Sequence, residues 1–443
     1  MSKKIRDYLF IVFIVFFIAG TILTSLYASG FQINFSWPLT FNRLLIKTGM
    51  IAVKTNPAGS TVYLNKHPQV NFSLNPWKME YLTTPTKIKN VLPGEYTLEL
   101  KLPGYLPLTK KITVYSGQTT FAEDINLFSS NLPQLITIAS SSDIIINANY
   151  TYLYLPATSE IVDLQNEQKK ILNIASSSTG VWLKNNNQLL TDGKLFNSSG
   201  DQQTNYHNIL GSNANNWYYD ESKNRLYYQN NNSINYLDIN SQASTMIVSG
   251  DNYLSYEPRT DLLFLVAVKN EKTILQIYSL KTQKIEQSRE LPAVGHYTFI
   301  HENHSRLTLY DDQNKTLYLI NPDNIKNDIK IIQGVISWQW INDQSLFYNN
   351  NWEIYHLDLQ QNNESLLTRV GEKIVKIIWN ENANYLIFST ADSLNAYDPV
   401  IGLITKIFTA NSIKPLTLNN TNNTLYFWAN IGRQNGIYSL QLQ

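Results

Sequence analysis

The sequence contains no cysteine. That absence removes disulfides, thiolate nucleophiles, zinc fingers and iron–sulfur clusters together. Charge is scarce as well. Charged residues make up 16% of the chain, and 35 Lys and Arg stand against 34 Asp and Glu. A chain this close to neutral lacks the basic excess that releases counterions from nucleic acid, so no nucleic-acid partner is expected. The familiar catalytic signatures are missing too: there is no G-x-S-x-G, no H-E-x-x-H, no Walker A loop, no G-x-G-x-x-G and no S-x-D-x-G-x-x-W box. From these absences we expect a chain that is not an enzyme and holds no cofactor and no metal. Without disulfides, the folded part must be held by its core alone.

What the sequence does have is one long apolar run. Tyr8 to Tyr27 reads YLFIVFIVFFIAGTILTSLY, preceded by Lys3, Lys4 and Arg6, and the next basic residue is Arg43. About 20 apolar residues at ~1.5 Å rise span a hydrocarbon core of ~30 Å. Basic residues stay on the cytoplasmic side. The expected topology is therefore a cytoplasmic tail at 1–7, a single-pass transmembrane helix at 8–27 and an extracytoplasmic remainder. The alternative is a cleaved signal peptide. The run is longer than an ordinary signal core, and Leu26 occupies a position where a cleavage site wants a small residue. Both readings put the remainder outside the cell membrane.

Residues 28–48 read as a stalk, in which Phe31, Ile33 and Phe35 alternate before Trp37-Pro38 breaks the pattern. From Gly49 short alternating runs are separated by tight turns: Asn56-Pro57-Ala58-Gly59, Leu92-Pro93-Gly94, Pro103-Gly104-Tyr105 and Ser116-Gly117. Several short strands so punctuated predict a small β-sandwich. The ordered elements N-P-A-G-S-T-V-Y-L (56–64), T-P-T (84–86), L-P-G-E-Y (92–96) and L-P-G-Y (102–105) resemble the PEGA domain over 49–128. Pro57, Gly59, Pro85, Pro93, Gly94, Pro103, Gly104 and Tyr105 carry that resemblance as turn-forming, structural residues. What the resemblance implies is an extracytoplasmic spacer or surface-binding module without catalytic activity. The chain departs from the pattern at Asn65-Lys66 and in an insertion at 67–82 that carries Trp77 and Tyr81.

After residue 130 the chain repeats itself. Segments at 217–239, 254–280, 297–320, 338–359, 377–399 and 416–442 each show strand, polar turn, strand, turn, strand. Their anchors are Leu226, Leu263, Leu307, Leu346, Leu386 and Leu425, at steps of 37, 44, 39, 40 and 39 residues, with weaker copies near Ile145 and Leu189. A period near 40 predicts a seven- or eight-bladed β-propeller over 129–443. The unit W-N-E-N-A-N-Y-L-I-F-S (379–389) resembles the repeat of the TolB and WD40-like propellers, with Asn-rich turns in place of the usual Asp-Gly. Asn tolerates the left-handed region, so the turn geometry is retained. PQLITI (133–138) is the expected fourth strand for the last copy. The fold class expected is all-β, with an N-terminal transmembrane helix, a small PEGA-like β-sandwich and the propeller.

Few residues point to chemistry. His296, His301 and His304 form H-x4-H-x2-H, but strand alternation sends them in mixed directions, and solvated turn histidines are the simpler reading. Asp311-Asp312 with Asn314 resembles a calcium loop only loosely, and reads as a hairpin turn. Glu257, Asp261, Asp343 and Glu381 are assigned to turns that correspond between repeats and read as turn formers. The expected role is a membrane-anchored extracytoplasmic binding or scaffold protein of the cell envelope, whose propeller meets an envelope protein or polysaccharide. The alternative is an enzyme processing envelope glycans or peptides with two carboxylates in the propeller channel.

Overall fold

The computed structural model describes residues 3–33, 45–71, 80–140, 143–147, 149–164, 166, 168–174, 180–183, 187–211, 213–292, 295–302, 304–419, 421 and 423–443. Phe35, Trp37 and Trp77 lie outside the described residues.

A run of apolar side chains without proline makes one helix, Lys3–Ala28. Within Ile5–Ala28 an 18-residue stretch has a mean hydropathy of 2.7 and contains no buried residue. This helix is long and apolar enough to cross a membrane. The helix gives way to a turn at Gly30, whose φ of +83° favours glycine. Phe31–Ile33 then pairs antiparallel with Leu45–Lys47, so part of the expected stalk is a two-stranded ribbon.

The chain forms two compact units, 1–131 with 403–407 and 442–443, and 132–402 with 408–441. In the first, Gly49–Asn56 pairs antiparallel with Thr86–Val91 and parallel with Thr119–Asn126. A second sheet runs His67–Pro68, Thr61–Leu64, Gly94–Lys101, Leu108–Val114. Period-two alternation sets its faces: Leu108, Ile112 and Val114 are buried, while Thr109, Lys111 and Thr113 are exposed. Two of the elements that carry the PEGA resemblance meet through buried hydroxyls. Thr55 Oγ1 lies 2.6 Å from Thr84 Oγ1, Ser60 N donates to Thr84 Oγ1 at 3.1 Å, and Gly59 N donates to the Thr84 carbonyl at 2.8 Å. The Asn65-Lys66 departure is accommodated because both residues take positive φ, 49° and 68°, and turn the chain into His67–Pro68.

In the second unit the described strands fall into separate four-stranded antiparallel sheets in chain order. The third comprises Ala214–Asp220, Arg225–Asn230, Ser233–Asp238 and Ala243–Ser249. The fourth comprises Asn252–Arg259, Leu262–Lys269, Lys272–Ser279 and Lys284–Glu290. The fifth runs through Tyr297–Ile300, Leu307–Asp311, Thr316–Ile320 and Ile329–Gln333, and the sixth begins with Ser337–Asn342. In the last sheet, Ser412–Asn419, Thr424–Ile431 and Gln434–Gln441 are joined by Gln134–Ile138, which pairs antiparallel with Gln434–Gln441.

The expectation of a seven- or eight-bladed β-propeller of the TolB or WD40-like kind is corrected here. The strands are partitioned among many separate small sheets, and no sheet among the described residues is closed or curled. A repeat of about 40 residues fixes a recurrent four-stranded unit; it does not by itself fix a closed architecture. The chain is mostly β-strand with one apolar N-terminal helix, and carries a PEGA-domain region.

The core lies between sheets. Leu226, Leu263, Leu307, Leu346, Leu386 and Leu425 are each fully buried in the second strand of their own sheet. Tyr227 and Ile234 pack with Tyr256, Leu263 and Leu265 of the next sheet, and Phe264, Val266 and Leu275 with Tyr297, Phe299 and Leu309 of the one after. The Asn-rich turns take the left-handed conformation at Asn224 and Asn384, with φ of 50° and 53°.

Candidate functional site

The first strands of the third and fourth sheets and the segment after the first strand of the fifth bring a polar group together. Glu257 is not a turn former. It lies inside Asn252–Arg259, between Tyr256 and Pro258, and is 3% exposed. Residues two apart on a strand share a face, so Glu257 and Arg259 point the same way. Arg259 Nε donates to Glu257 Oε1 at 3.2 Å. The other carboxylate oxygen, Oε2, is bound by His301 Nδ1.

Arg259 is held at each of its three guanidinium nitrogens. Its Nη2 donates to the Glu302 carbonyl at 2.9 Å and its Nη1 to the His304 carbonyl. The guanidinium thus ties Glu302 and His304 to the fourth sheet while balancing a buried carboxylate. A fork of planar donors suits this double task better than a lysine would.

Glu302 extends the group toward the sixth sheet. Its Oε2 accepts from Trp340 Nε1 at 2.9 Å and from Thr308 Oγ1 at 3.3 Å. Burial pushes its carboxyl above the usual range, against the opposing pull of His304 and these donors. The His304 ring stacks on Trp340 with centroids 4.6 Å apart, and its Nδ1 meets Asp343 Oδ1 at 3.1 Å.

A cavity of about 640 Å³ opens beside this group. Its walls include Tyr218, Asp220, Glu221, Glu257, Arg259, His301 and Glu302. The Tyr218 ring lies against the His301 imidazole at 4.5 Å. Burial first, then the carboxylates of Glu257 and Asp220, push the Tyr218 hydroxyl up to about 12, so it stays protonated.

The three clustered histidines do not converge. His296 Nδ1 meets Asp312 at 2.8 Å, His301 meets Glu257, and His304 meets Asp343. Each imidazole is drawn to its own carboxylate, and no group of three or more His, Cys, Asp or Glu residues able to hold a metal is found among the described residues. Asp311 accepts from the backbone N–H of His296, Gln313 and Asn314, a turn arrangement. Asp261 pairs with Lys281 at 2.7 Å.

Two functional expectations are corrected with the fold. A propeller presenting a binding surface to an envelope protein or polysaccharide has no counterpart, and neither has an enzyme with paired carboxylates in a propeller channel. No such channel and no catalytic group of metal, cysteine or clustered aromatics is evident among the described residues. Sequence reasoning missed Arg259, Tyr218, Glu302 and Trp340. The available signal was the pair Glu257 and Arg259, opposite charges two apart inside a strand otherwise rich in aromatic and small residues.

Residues 77–126 match the model of the PEGA domain. No curated protein matches the chain. Among solved structures, the chain is similar to an oligogalacturonate lyase from Vibrio parahaemolyticus, with 10% identity over 68% of this chain and 98% of that one and a TM-score of 0.40. It is similar to the AfRom2 CNH domain, with 8% identity over 70% of this chain and 99% of that one and a TM-score of 0.37. It is also similar to Kluyveromyces lactis Hsv2, with 11% identity over 48% of this chain and 70% of that one and a TM-score of 0.34. At these values none of the three carries an inference of shared fold or activity. What the comparisons identify is a PEGA-domain region within a longer, mostly β chain.

Proposed function

We propose that this chain is a single-pass membrane protein, N-terminus in the cytoplasm and β-rich bulk outside, that captures a small polar ligand in the Glu257–His301 cavity and does not turn it over. The observation that carries the reading is the cavity itself. A buried carboxylate, a guanidinium and an imidazole are held there by one another at the edge of about 640 Å³ of open space. That volume falls within the ~300–1,000 Å³ typical of small-molecule sites. The basic flank of the apolar helix supports the orientation, and the PEGA-domain region is in keeping with an extracytoplasmic setting.

The natural lack of cysteine makes the test clean. A maleimide that cannot cross membranes should label a Leu132→Cys variant in intact cells, and a Ser2→Cys variant only after lysis. The reverse pattern overturns the orientation. Capture is tested by thermal shift against a panel of sugars, amino acids and amines. Compounds that raise Tm should lose their effect in Ser222→Trp, which fills the cavity mouth. A panel without effect, or shifts that survive the filled mouth, removes the cavity from the account.

A further inference from the structure

The chemistry lining the cavity selects among polar ligands. Glu257 and Arg259 neutralise one another, and all three guanidinium nitrogens are bound within the protein. Three of the five N–H donors of Arg259 are thereby satisfied within the protein. The Glu257 carboxylate accepts at His301 Nδ1, so in the neutral imidazole the proton sits on Nδ1 and Nε2 keeps a lone pair. Among the described residues Nε2 makes no hydrogen bond, and the ring lines the cavity. Glu221 stands exposed at the rim, and Asp220 beside it caps its own turn by accepting from Ser222 and Lys223. Four carboxylates, those of Asp220, Glu221, Glu257 and Glu302, line the cavity against the single guanidinium of Arg259. The site is rich in acceptors and negative on balance.

We propose that the cavity binds a primary organic ammonium group carried on a body about the size of a hexose. Its N–H donors meet the His301 imidazole and the neighbouring carboxylates, and its body lies beside Tyr218. This deepens the reading of the cavity as a ligand site and rests on it. An amino sugar and an alkylammonium share the recognised chemistry, and the experiment separates them.

The test is calorimetric titration of the full chain in detergent micelles with glucosamine, n-butylammonium, N-acetylglucosamine and glucose. Glucosamine should bind at least about tenfold more tightly than N-acetylglucosamine, which keeps the ring but loses the charge. Binding of n-butylammonium as well assigns recognition to the ammonium alone, whereas its failure beside glucosamine assigns it to ammonium and ring together. Glu221→Gln and His301→Gln should each weaken glucosamine several-fold. Glu221 is exposed and makes no hydrogen bond or ion pair among the described residues, so its variant should keep Tm and remain informative if His301→Gln unfolds. Equal binding of glucosamine, N-acetylglucosamine and glucose, abolished by Ser222→Trp, overturns the ammonium assignment and leaves the cavity a ligand site. No binding by any of the four to folded protein overturns the ammonium assignment too, and the panel of sugars, amino acids and amines then decides whether the cavity binds anything.

Discussion

Glu257 shows how far a single side chain can be misread from sequence. From the sequence it reads as a turn former, yet it sits inside a strand at 3% exposure with Arg259 and His301 as partners. Removing one member of a buried ion pair strands the other, which costs about 3–5 kcal/mol, whereas neutralising both costs far less. Arg259→Met should therefore lower Tm sharply, and Glu257→Gln combined with Arg259→Met should recover much of the loss. Denaturant unfolding of the two variants checks this, and equal destabilisation would contradict it. Glu302 behaves in the opposite sense. Burial raises its folded carboxyl above the ordinary 4.5, so the folded state binds that proton more tightly than the unfolded state. Its contribution to stability grows as pH falls through the raised folded value toward 4.5. Glu302→Gln, whose amide oxygen can still accept from Trp340, should be at least as stable as the natural chain at neutral pH. It should also lack that acid-side gain in a Tm-against-pH series.

At the scale of the element, the repeat was the most legible feature. The leucines at steps near 40 all land in the second strand of a sheet because that strand is covered on both faces, and full burial demands a large aliphatic at one fixed place. Turn positions were legible for a similar reason, since Asn and Gly supply the left-handed conformation at low cost. What the pattern could not convey was how the four-stranded units stand to one another, because periodicity records which face is covered and not what covers it. The cavity was illegible on the same ground: its walls come from 218–222, 257–260 and 301–302, distant in sequence and gathered only when successive sheets align. Gln134–Ile138 illustrates the long-range part. It pairs with Gln434–Gln441 across nearly the whole second unit, and Gly436 allows the contact, since a Cβ there would come within 2.7 Å of the Thr137 carbonyl oxygen. Deleting 129–139 should expose one edge of the last sheet and lower Tm by many degrees. Gly436→Val should reproduce most of that loss without removing the strand. An unchanged Tm in both would show that this pairing contributes little.

For the whole molecule, the decisive contrast lies between a helix whose apolar stretch has no buried residue and a cysteine-free β-rich remainder that buries its own core. A helix of mean hydropathy 2.7 with bulky apolar side chains all round is unstable in water unless something apolar surrounds it, and a bilayer supplies that environment. The β-rich part makes no such demand, because its apolar strands already face one another. Membrane attachment should accordingly reside in residues 5–28 alone. A lysine near the middle of a spanning helix costs about 2.5–3.5 kcal/mol on insertion scales. Ile14→Lys combined with Val15→Lys should shift the full chain from the membrane pellet to the supernatant after alkaline extraction. The β-rich part should keep its unfolding temperature in that variant, and the temperature should be the same with and without dithiothreitol, since there is no disulfide to reduce. If the doubly substituted chain stays in the pellet while remaining folded, a second surface holds it to the membrane, and the helix is not the sole anchor.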